Sequence, residues 1–381
     1  MNSRERILTA LSHKEPDRIP FDLGSSFVTG ITRKAYINLT RYLGIEEEEI
    51  EFFDTVQQLV YPSERLLEKL SVDTRGVVPN IVRKNPEIEE KEDGKYFTDE
   101  WRIRWKMPKD GFYFDIVESP LSGNITEEDI EKFPWPDPTS PHLFDGVVEK
   151  AKKYYEDGYA VMLESFCSGI FEMSCRLRGY EQFYTDLAIN PEIACKIMDK
   201  IVELKIKFYE EASKKIGKYI QFIREGDDIA GQKNLLISPK MYSEYIKPRH
   251  KKLFEAQKKY FPEPFFIFFH SDGAIYKIIP DFIEIGVEIL NPVQITDEGI
   301  TLEKSKKEFG KDLTFWGGGI DTQHTLPKGS KEEIRKEVKK RIEILSQGGG
   351  FIFNTIHNIQ DDVPPENIIT MVETLMEFNK H

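Results

Sequence analysis

The sequence predicts an α/β protein built on a (β/α)8 barrel (TIM barrel), with an N-terminal extension and an inserted β-hairpin. Two observations support this prediction. From about residue 142, short apolar segments alternate with amphipathic helical segments, which is typical of a parallel sheet. Six such strand and helix units, added to two strand candidates near the N-terminus, give the eight strands of a closed barrel.

The N-terminal region supplies the first two strand candidates, which are Pro20 to Leu23 and Arg75 to Val78. Each candidate follows a predicted helix, because Ser3 to Leu11 and Ser63 to Leu70 carry apolar residues at helical intervals. We therefore place the start of the barrel in this region.

Residues 94–118 are predicted to form an inserted β-hairpin that covers one face of the barrel. Tyr96 to Trp105 is rich in β-forming residues and is predicted to be the first strand. Pro108 to Gly111 is predicted to form a turn, and Phe112 to Val117 the returning strand. A proline-rich linker follows at Phe133 to Pro138. We assign the whole chain, residues 1–381, to one barrel domain that carries this hairpin.

The remaining six strands are short and almost entirely apolar, as expected for strands that are buried on both faces. They are predicted at Ala160–Glu164, Tyr219–Ile223, Phe265–Phe269, Val287–Leu290, Leu313–Trp316 and Gly350–Phe353. The accompanying helices are predicted at 143–157, 168–178, 191–215, 239–258, 275–285, 302–308, 331–346 and 365–379.

Composition excludes several function classes. The formal net charge of −13 argues against a nucleic-acid partner. No window approaches the roughly 18 uninterrupted apolar residues of a membrane helix, and the first residues lack the apolar core of a secretory signal. Three cysteines are too few for a disulfide framework, which favours a cytoplasmic location. The three glycines at 317–319 lack the spacing of a dinucleotide-binding fingerprint.

The most informative segment is Phe265 to Gly273, where an apolar strand runs directly into a histidine and an acid. His270 and Asp272 lie two residues apart, so both can reach one point if the chain stays extended through Ser271. Gly273 then allows the backbone to turn away. This pair could hold a metal ion, act as an acid or base with its orienting carboxylate, or simply cap a strand end with polar groups.

Other strand ends deliver polar residues to the same mouth, where barrel enzymes carry their active sites. Candidate substrate-binding residues are Glu164, Glu225, Asn291, Gln294, Asp321 and Asn354, and candidate catalytic residues are Asp227, Asp228 and His270. Each has a structural alternative: Glu164 could cap a helix, the two aspartates could form loop turns, and Asn291 and Gln294 could brace a loop. His357, after the last strand, is the second imidazole at the mouth, whereas His250 is predicted to be a surface or cap residue.

Two imidazoles and a carboxylate form a ligand set for Zn²⁺ that leaves one position open. The imidazoles of His270 and His357 and a carboxylate at the mouth could supply such a set. Such a zinc ion would lower the pKa of a bound thiol or water, or polarise an ether oxygen. Without a metal, the same groups would support proton transfer or decarboxylation.

Taken together, several motifs resemble the uroporphyrinogen decarboxylase superfamily along nearly the whole chain, and most closely its corrinoid-dependent methyltransferase branch. The motifs are Arg4–Ile7 through Asp17–Pro20, Gly226–Gln232, His270–Gly273, Gly286–Gln294, Gly319–Gln323, and Gly348–Gly350 through His357–Gln360 to Val363–Asn367. The resemblance implies a barrel fold and an enzyme.

The branch implies transfer of a methyl group between a small methylated substrate, or a thiol, and a corrinoid (cobalamin) carried by a partner protein. It also implies zinc at the barrel mouth, held by a His-x-Cys motif and by a residue after the last strand. His270 matches that histidine, His357 matches the late ligand, and Asp272 stands at the cysteine position. The resemblance thus implies that His270, Asp272 and His357 bind zinc, with Glu164 or Glu225 in reserve. A carboxylate in place of a thiolate makes the site harder, which suits an ether oxygen better than a soft thiol. Asp227 and Asp228 would face the substrate.

Two other functions stay open. One is uroporphyrinogen decarboxylation in tetrapyrrole synthesis, which the resemblance implies with an arginine-rich N-terminal segment for the substrate carboxylates. The corresponding stretch here, Pro20 to Ser26, has no arginine. The other is a non-catalytic barrel that binds a corrinoid or tetrapyrrole.

Overall fold

The computed structural model describes residues 1–45, 50–294 and 300–379. Within these ranges the strands are β1 (Phe52–Asp54), β2 (Leu59–Val60), β3 (Thr74–Val77), β4 (Glu89–Lys91), β5 (Gly94–Thr98), β6 (Arg104–Pro108), β7 (Asp115–Glu118), β8 (Ala160–Glu164), β9 (Phe222–Gly226), β10 (Phe266–His270), β11 (Ile289–Asn291), β12 (Thr314–Trp316) and β13 (Phe351–Ile352).

The described α-helices surround the parallel sheet. They are α1 (Ser3–Leu11), α2 (Arg33–Tyr42), α3 (Glu64–Lys69), α4 (Glu127–Lys132), α5 (Val147–Glu156), α6 (Ile170–Arg178), α7 (Tyr180–Ile189), α8 (Pro191–Ile216), α9 (Pro239–Met241), α10 (Lys247–Tyr260), α11 (Ile279–Glu284), α12 (Leu302–Phe309), α13 (Thr325–Lys328), α14 (Lys331–Leu345) and α15 (Pro365–Phe378). None of these helices is long and apolar enough to cross a bilayer.

The central sheet is parallel, with the order β13-β12-β11-β10-β9-β8-β3. The segment around Phe21 closes it: Asp22 N–H donates to Phe353 O (2.9 Å), and Phe353 N–H donates to Pro20 O (2.8 Å). On its other side, Asp73 N–H donates to Phe21 O (2.8 Å). This eighth segment lies at the predicted N-terminal strand, so the predicted (β/α)8 barrel is confirmed.

Alternate residues of each strand face the barrel interior. Phe222, Phe268 and Trp316 pack together there, with Phe222 and Phe268 both edge-on to the Trp316 ring. Because side chains alternate along a strand, His270 also points inward, two residues beyond Phe268 at the carboxyl end. The imidazole of His270 therefore points into the barrel mouth.

The predicted strand Tyr219–Ile223 is displaced in the structure. A short 3-10 turn at Gly217–Tyr219 delays the strand, which runs from Phe222 to Gly226. Arg224 and Glu225 are therefore strand residues on opposite faces, and not loop residues that follow the strand. This register decides which of the two reaches the mouth.

The inserted segment is larger than the predicted hairpin. Strands β4 to β7 form a four-stranded antiparallel sheet over residues 89–118. Asp99 interrupts the predicted strand, because its carboxylate accepts the backbone N–H groups of Trp101 (2.9 Å) and Ile103 (3.0 Å) and the indole N–H of Trp105 (2.8 Å). Trp101 packs on Phe166, which follows β8, with ring centroids 5.5 Å apart. The insertion thus covers one side of the barrel mouth.

Candidate functional site

His270, Asp272 and His357 meet at the barrel mouth, and we call them the His–Asp–His cluster. One ligand atom from each residue lies within 4.8 Å of the others. Asp272 Oδ2 is 3.6 Å from His270 Nε2 and 3.5 Å from His357 Nε2. Ligands on a tetrahedral zinc ion with bonds of about 2 Å lie about 3.3 Å apart, so the two Asp272 distances are close to those of a zinc site.

Backbone pairing holds Asp272 beside His270. Ser271 N–H donates to Asn291 O (2.9 Å), which keeps the chain extended beyond the end of β10. Asp272 N–H then donates to Asp228 Oδ1 (3.0 Å). Gly273 has a φ of +87°, and a Cβ there would lie 2.4 Å from Gly231 O. Only glycine therefore lets the chain turn away at this point.

Asn291 fixes the orientation of the His270 ring. Its Nδ2 donates to Trp316 O (2.8 Å), so its Oδ1 is left to accept the Nδ1–H of His270 (2.6 Å). In the neutral form of His270, Nε2 therefore carries the lone pair and faces Asp272. A histidine whose second nitrogen is held by an outer partner is the usual arrangement at metal sites. Asn291, which was predicted to bind substrate, thus lies behind His270 and contacts its ring.

His357 reaches the cluster from the loop after β13. Ile356 N–H donates to Ile320 O (3.2 Å), and Thr355 Oγ1 donates to His357 O (2.5 Å), which fixes the loop backbone. The His357 ring lies edge-on to His270, with centroids 5.8 Å apart. Its side chain is 31% exposed, against 6% for His270. The two imidazoles thus form a deep and a shallow side of the cluster.

The ionisable side chains of the cluster shift one another's pKa values. Burial by itself would lower the pKa of His270, but Asp272, Asp228 and the Asn291 hydrogen bond outweigh it and raise this pKa to about 9. Burial would raise the pKa of Asp272, but His270 and His357 lower it to about 2. Burial lowers the pKa of His357 and raises that of Asp228 to about 7. A dication would compete with the proton on His270, and the ionised Asp272 between the two rings would attract it.

A cleft of about 700 Å³ opens beside the cluster. Asp272 and His357 line it together with Gln294 and Asp321, two of the predicted substrate-binding residues. Gln294 accepts Gly273 N–H (2.8 Å). Asp321 Oδ1 accepts the backbone N–H groups of Gln323 and His324, so it also shapes its own turn. Solvent and ligands can approach the cluster through this cleft.

Asp227 does not face the cluster. Its oxygens accept the N–H groups of Phe171 (2.8 Å) and Glu172 (2.7 Å), at the start of α6, and the side chain contacts His250 Nε2 (2.9 Å). The residue is 1% exposed. Asp227 therefore acts as the cap of a helix, and the structure does not support the predicted catalytic role. His250, which was predicted to be a surface or cap residue, is likewise buried and pairs with Asp227.

We expect Asp227→Ala to lower the free energy of unfolding by about 3 kcal/mol, because the change leaves two helix N–H groups and a buried imidazole without their acceptor. Urea denaturation measures the effect. The matched control is Asp145→Ala, which removes a similar but exposed contact to His142 (3.1 Å) and should change stability by less than about 0.5 kcal/mol. Equal stability of the two variants would contradict the capping role.

Glu225 and Glu164 are also committed to other partners. Glu225 points away from the barrel interior, to Lys205 Nζ (3.1 Å) and the hydroxyl of Tyr209. Glu164 faces inward, where it pairs with Arg224 and accepts Phe27 N–H (2.9 Å). Neither carboxylate is placed to replace a ligand of the cluster, so their predicted reserve role is not supported.

Asn354 lies inside the barrel top, where its Nδ2 donates to Asp22 O (2.9 Å). Its Oδ1 is buried without a hydrogen-bond partner among the described residues. Asp228, by contrast, stays near the cluster, with Oδ1 at 3.8 Å from His270 Nε2. Of the three predicted catalytic residues, Asp228 and His270 are thus brought together and Asp227 is not.

Three arginines at the mouth were missed by sequence reasoning, namely Arg83, Arg176 and Arg224. They come from the loop after β3, from α6 and from β9. The inward register of β9 could have identified Arg224, whereas no local pattern marks the other two. Arginine therefore does reach this mouth, although from elements other than the N-terminal stretch.

Comparison with known proteins gives similarities in sequence and in fold. A family profile described as "Uroporphyrinogen decarboxylase (URO-D)" matches residues 115–378. Uroporphyrinogen decarboxylase of Geobacter sulfurreducens is 24% identical over 280 residues, which cover 71% of this chain and 76% of that protein. The enzyme of Geobacter metallireducens matches at the same identity and coverage.

Among solved structures, a methyltransferase from Methanosarcina mazei is similar over 99% of both chains, with a TM-score of 0.65 and 17% identity. At this identity the similarity concerns the fold. The fold is thus shared along nearly the whole length of both proteins.

Proposed function

We propose that this chain, which belongs to the uroporphyrinogen decarboxylase family, is a methyltransferase. Membership of the family rests on the profile match, which covers more than half of the chain. The proposed reaction moves a methyl group between a small methylated substrate, or a thiol, and a corrinoid on a partner protein. The observation that carries the proposal is the His–Asp–His cluster.

The donor set of the cluster fits zinc. Two imidazole nitrogens and one carboxylate oxygen are suitable zinc ligands once the ion displaces the Nε2 proton of His270, and three protein ligands leave a position for a substrate. When bound, zinc supplies Lewis acidity, which favours the leaving of an ether oxygen or the ionisation of a thiol. Asp272 makes the site harder than a thiolate would, which favours an oxygen-bound methyl group.

The residues around the cluster hold its side chains in the orientation that zinc binding requires. Asn291 holds His270 in the tautomer that presents Nε2 to the mouth. Asp228 binds the backbone of Asp272 and so limits the movement of its carboxylate. The cleft beside Asp272 and His357 gives a second molecule access to the same point. The methyltransferase of similar fold supports the same assignment.

A methyl-transfer assay tests the proposal. Free cob(I)alamin stands for the corrinoid protein, and methylcobalamin formation is followed by absorbance with a panel of methyl ethers and methylated thiols. The reverse reaction, from methylcobalamin to thiols, is run in parallel. We expect zinc-dependent transfer with at least one compound class, and a loss of more than about 100-fold in the His270→Ala variant. Tight cobalamin binding without any transfer would instead favour a non-catalytic corrinoid-binding barrel.

Uroporphyrinogen decarboxylation is the second candidate, because the family profile and the curated relatives carry this activity in their names. The three arginines at the mouth are the observation in its favour. Each of them, however, is paired with a carboxylate of the chain, whereas a substrate with many carboxylates requires free cations. Incubation with uroporphyrinogen and detection of coproporphyrinogen decide this candidate.

A further inference from the structure

The cleft of about 700 Å³ beside the His–Asp–His cluster has room for a ligand with several functional groups. Asp272 and His357 form part of its wall, so a ligand in the cleft lies against the cluster. A one-carbon methyl donor such as methanol would leave most of this volume to water. The side chains along the rest of the cleft therefore indicate which larger methyl donors it suits.

The cationic side chains of the cleft face acids of the chain. Arg341 Nε lies 2.6 Å from Glu337 Oε1. Lys340 lies near Glu303, whose pKa is lowered by its own backbone N–H, by the Thr301 hydroxyl and by the charge of Lys340. Neither cation therefore offers an unopposed positive charge to an anionic ligand.

The other acids of the cleft also have partners. Asp321 Oδ2 lies 3.0 Å from His324 Nδ1, and Asp321 Oδ1 accepts the backbone N–H groups of Gln323 and His324. Asp272 lies between the two imidazoles of the cluster. A cationic ligand would have to compete with these partners, so the charged residues of the cleft favour neither sign of ligand.

Neutral polar groups, by contrast, are available in the cleft. Gln294 Oε1 accepts Gly273 N–H (2.8 Å), and Gln294 Nε2 donates to Gln232 Oε1 (3.3 Å), which leaves the NH2 group of Gln232 for a ligand. Among the described residues, the side chains of Thr322 and Gln323 form no hydrogen bond at all. Amides and hydroxyls both donate and accept hydrogen bonds, and this combination matches the hydroxyl groups of a ligand.

The apolar contacts of the cleft are aliphatic. Leu302 and Ile356 line it, whereas no phenylalanine, tyrosine or tryptophan does so within the described ranges. Aromatic ligands gain affinity by stacking on such rings, and quaternary ammonium ligands gain it by contact with the ring faces. The wall of the cleft offers neither contact, and its two branched side chains suit the C–H groups of an aliphatic skeleton.

We propose that the methyl donor is an uncharged aliphatic methyl ether with several hydroxyl groups, of the class of methylated polyols and monosaccharides. Gln232, Thr322 and Gln323 bind these hydroxyl groups, while the methylated oxygen lies at the cluster. This inference rests on the proposed function and narrows its substrate class. A site that pairs with the hydroxyl groups of a ligand rejects an analogue that lacks them, because the site's own polar groups then lose their partners.

Ligand-observed NMR titration of the full chain, with and without added Zn²⁺, tests the proposal. The hydroxylated probes are 3-O-methylglucose and 3-methoxy-1,2-propanediol. The comparison probes are methoxycyclohexane, which has no hydroxyl group, the aromatic anion 3-methoxybenzoate and the cation 2-methoxyethylamine. The variants are Gln232→Leu and Gln323→Leu, which remove the amide and keep a side chain of similar size. The matched control is Gln347→Leu, because Gln347 is exposed and precedes β13, at the end of the barrel opposite the mouth. Circular dichroism melts verify that each variant is folded.

We expect 3-O-methylglucose to bind at least about tenfold more tightly than each comparison probe, and each mouth variant to lose about three- to tenfold in affinity for it. Gln347→Leu should bind like the unchanged protein. Equal or tighter binding of a comparison probe, no binding of either hydroxylated ether, or full affinity in both folded mouth variants would overturn the proposal. Binding of the hydroxylated ethers without methyl transfer would refute only the proposed function, and methyl transfer from the aromatic or charged ethers in preference to them only this inference.

Discussion

Replacing His270 with alanine is expected to lower the zinc affinity of the protein by more than about 100-fold. Loss of an outer-shell partner typically costs about 10- to 100-fold, and loss of a direct ligand costs more. His270 is the deepest residue of the cluster and the one whose orientation is fixed, by Asn291. Metal analysis of protein purified without chelator, and competition with a chromophoric chelator, measure the change.

Two further variants test the outer partner of His270 and an exposed histidine as a control. Asn291→Ala keeps all three ligands but frees the His270 ring, so its zinc affinity should fall by about 10- to 100-fold. His142→Ala removes an exposed histidine that also pairs with an aspartate, Asp145, and should leave zinc binding unchanged. Stoichiometric zinc in His270→Ala at full affinity, or no zinc in any of the proteins, would refute the metal site.

Replacing Lys205 with methionine is expected to cost about 3–5 kcal/mol in the free energy of unfolding. Lys205 is fully buried, and its Nζ lies 3.1 Å from Glu225 Oε2 and 2.7 Å from Ser165 Oγ. Removal of the ammonium group leaves Glu225 buried without its partner, so the carboxyl must either stay ionised in the interior or take up a proton, and breaking a buried pair in this way is costly. Urea denaturation followed by circular dichroism gives the value.

The double variant Lys205→Met/Glu225→Gln separates charge from packing. It removes both charges, so most of the lost stability should return. Lys214→Met serves as the surface control, because Lys214 pairs with Glu210 and Glu211 while 56% exposed, and it should cost less than about 0.5 kcal/mol. A Lys205→Met protein as stable as the Lys214→Met protein would contradict this account.

The barrel was predictable because its strands carry their own signal. A run such as Phe265 to Phe269 is apolar on both faces, and only a parallel sheet covered by helices buries both. The less regular strands were harder to predict. The strand from Phe222 was displaced by the turn before it, and the strand broken at Asp99 was read as continuous because a buried carboxylate, not the backbone pattern, ends it.

The cluster was predictable for a related reason. Parallel strands end at one mouth, so His270, Asp272 and a residue after the last strand could be expected to meet. Asp227 and Glu225 follow the same rule in sequence, yet each turns to partners behind the mouth. A shift of one residue in a strand exchanges its two faces, and the sequence alone does not fix that register.

The sequence by itself thus determined the fold class, the mouth and the three candidate ligands, because apolar strands and the polar residues at their ends are local signals. The tertiary structure decided what the rest of the mouth does. Arg83, Arg176 and Arg224 are far apart in the chain, and Asn291 reaches His270 only across neighbouring strands. Such contacts depend on the orientation of side chains on packed elements. The packing of the whole barrel determines this orientation, and no single segment does.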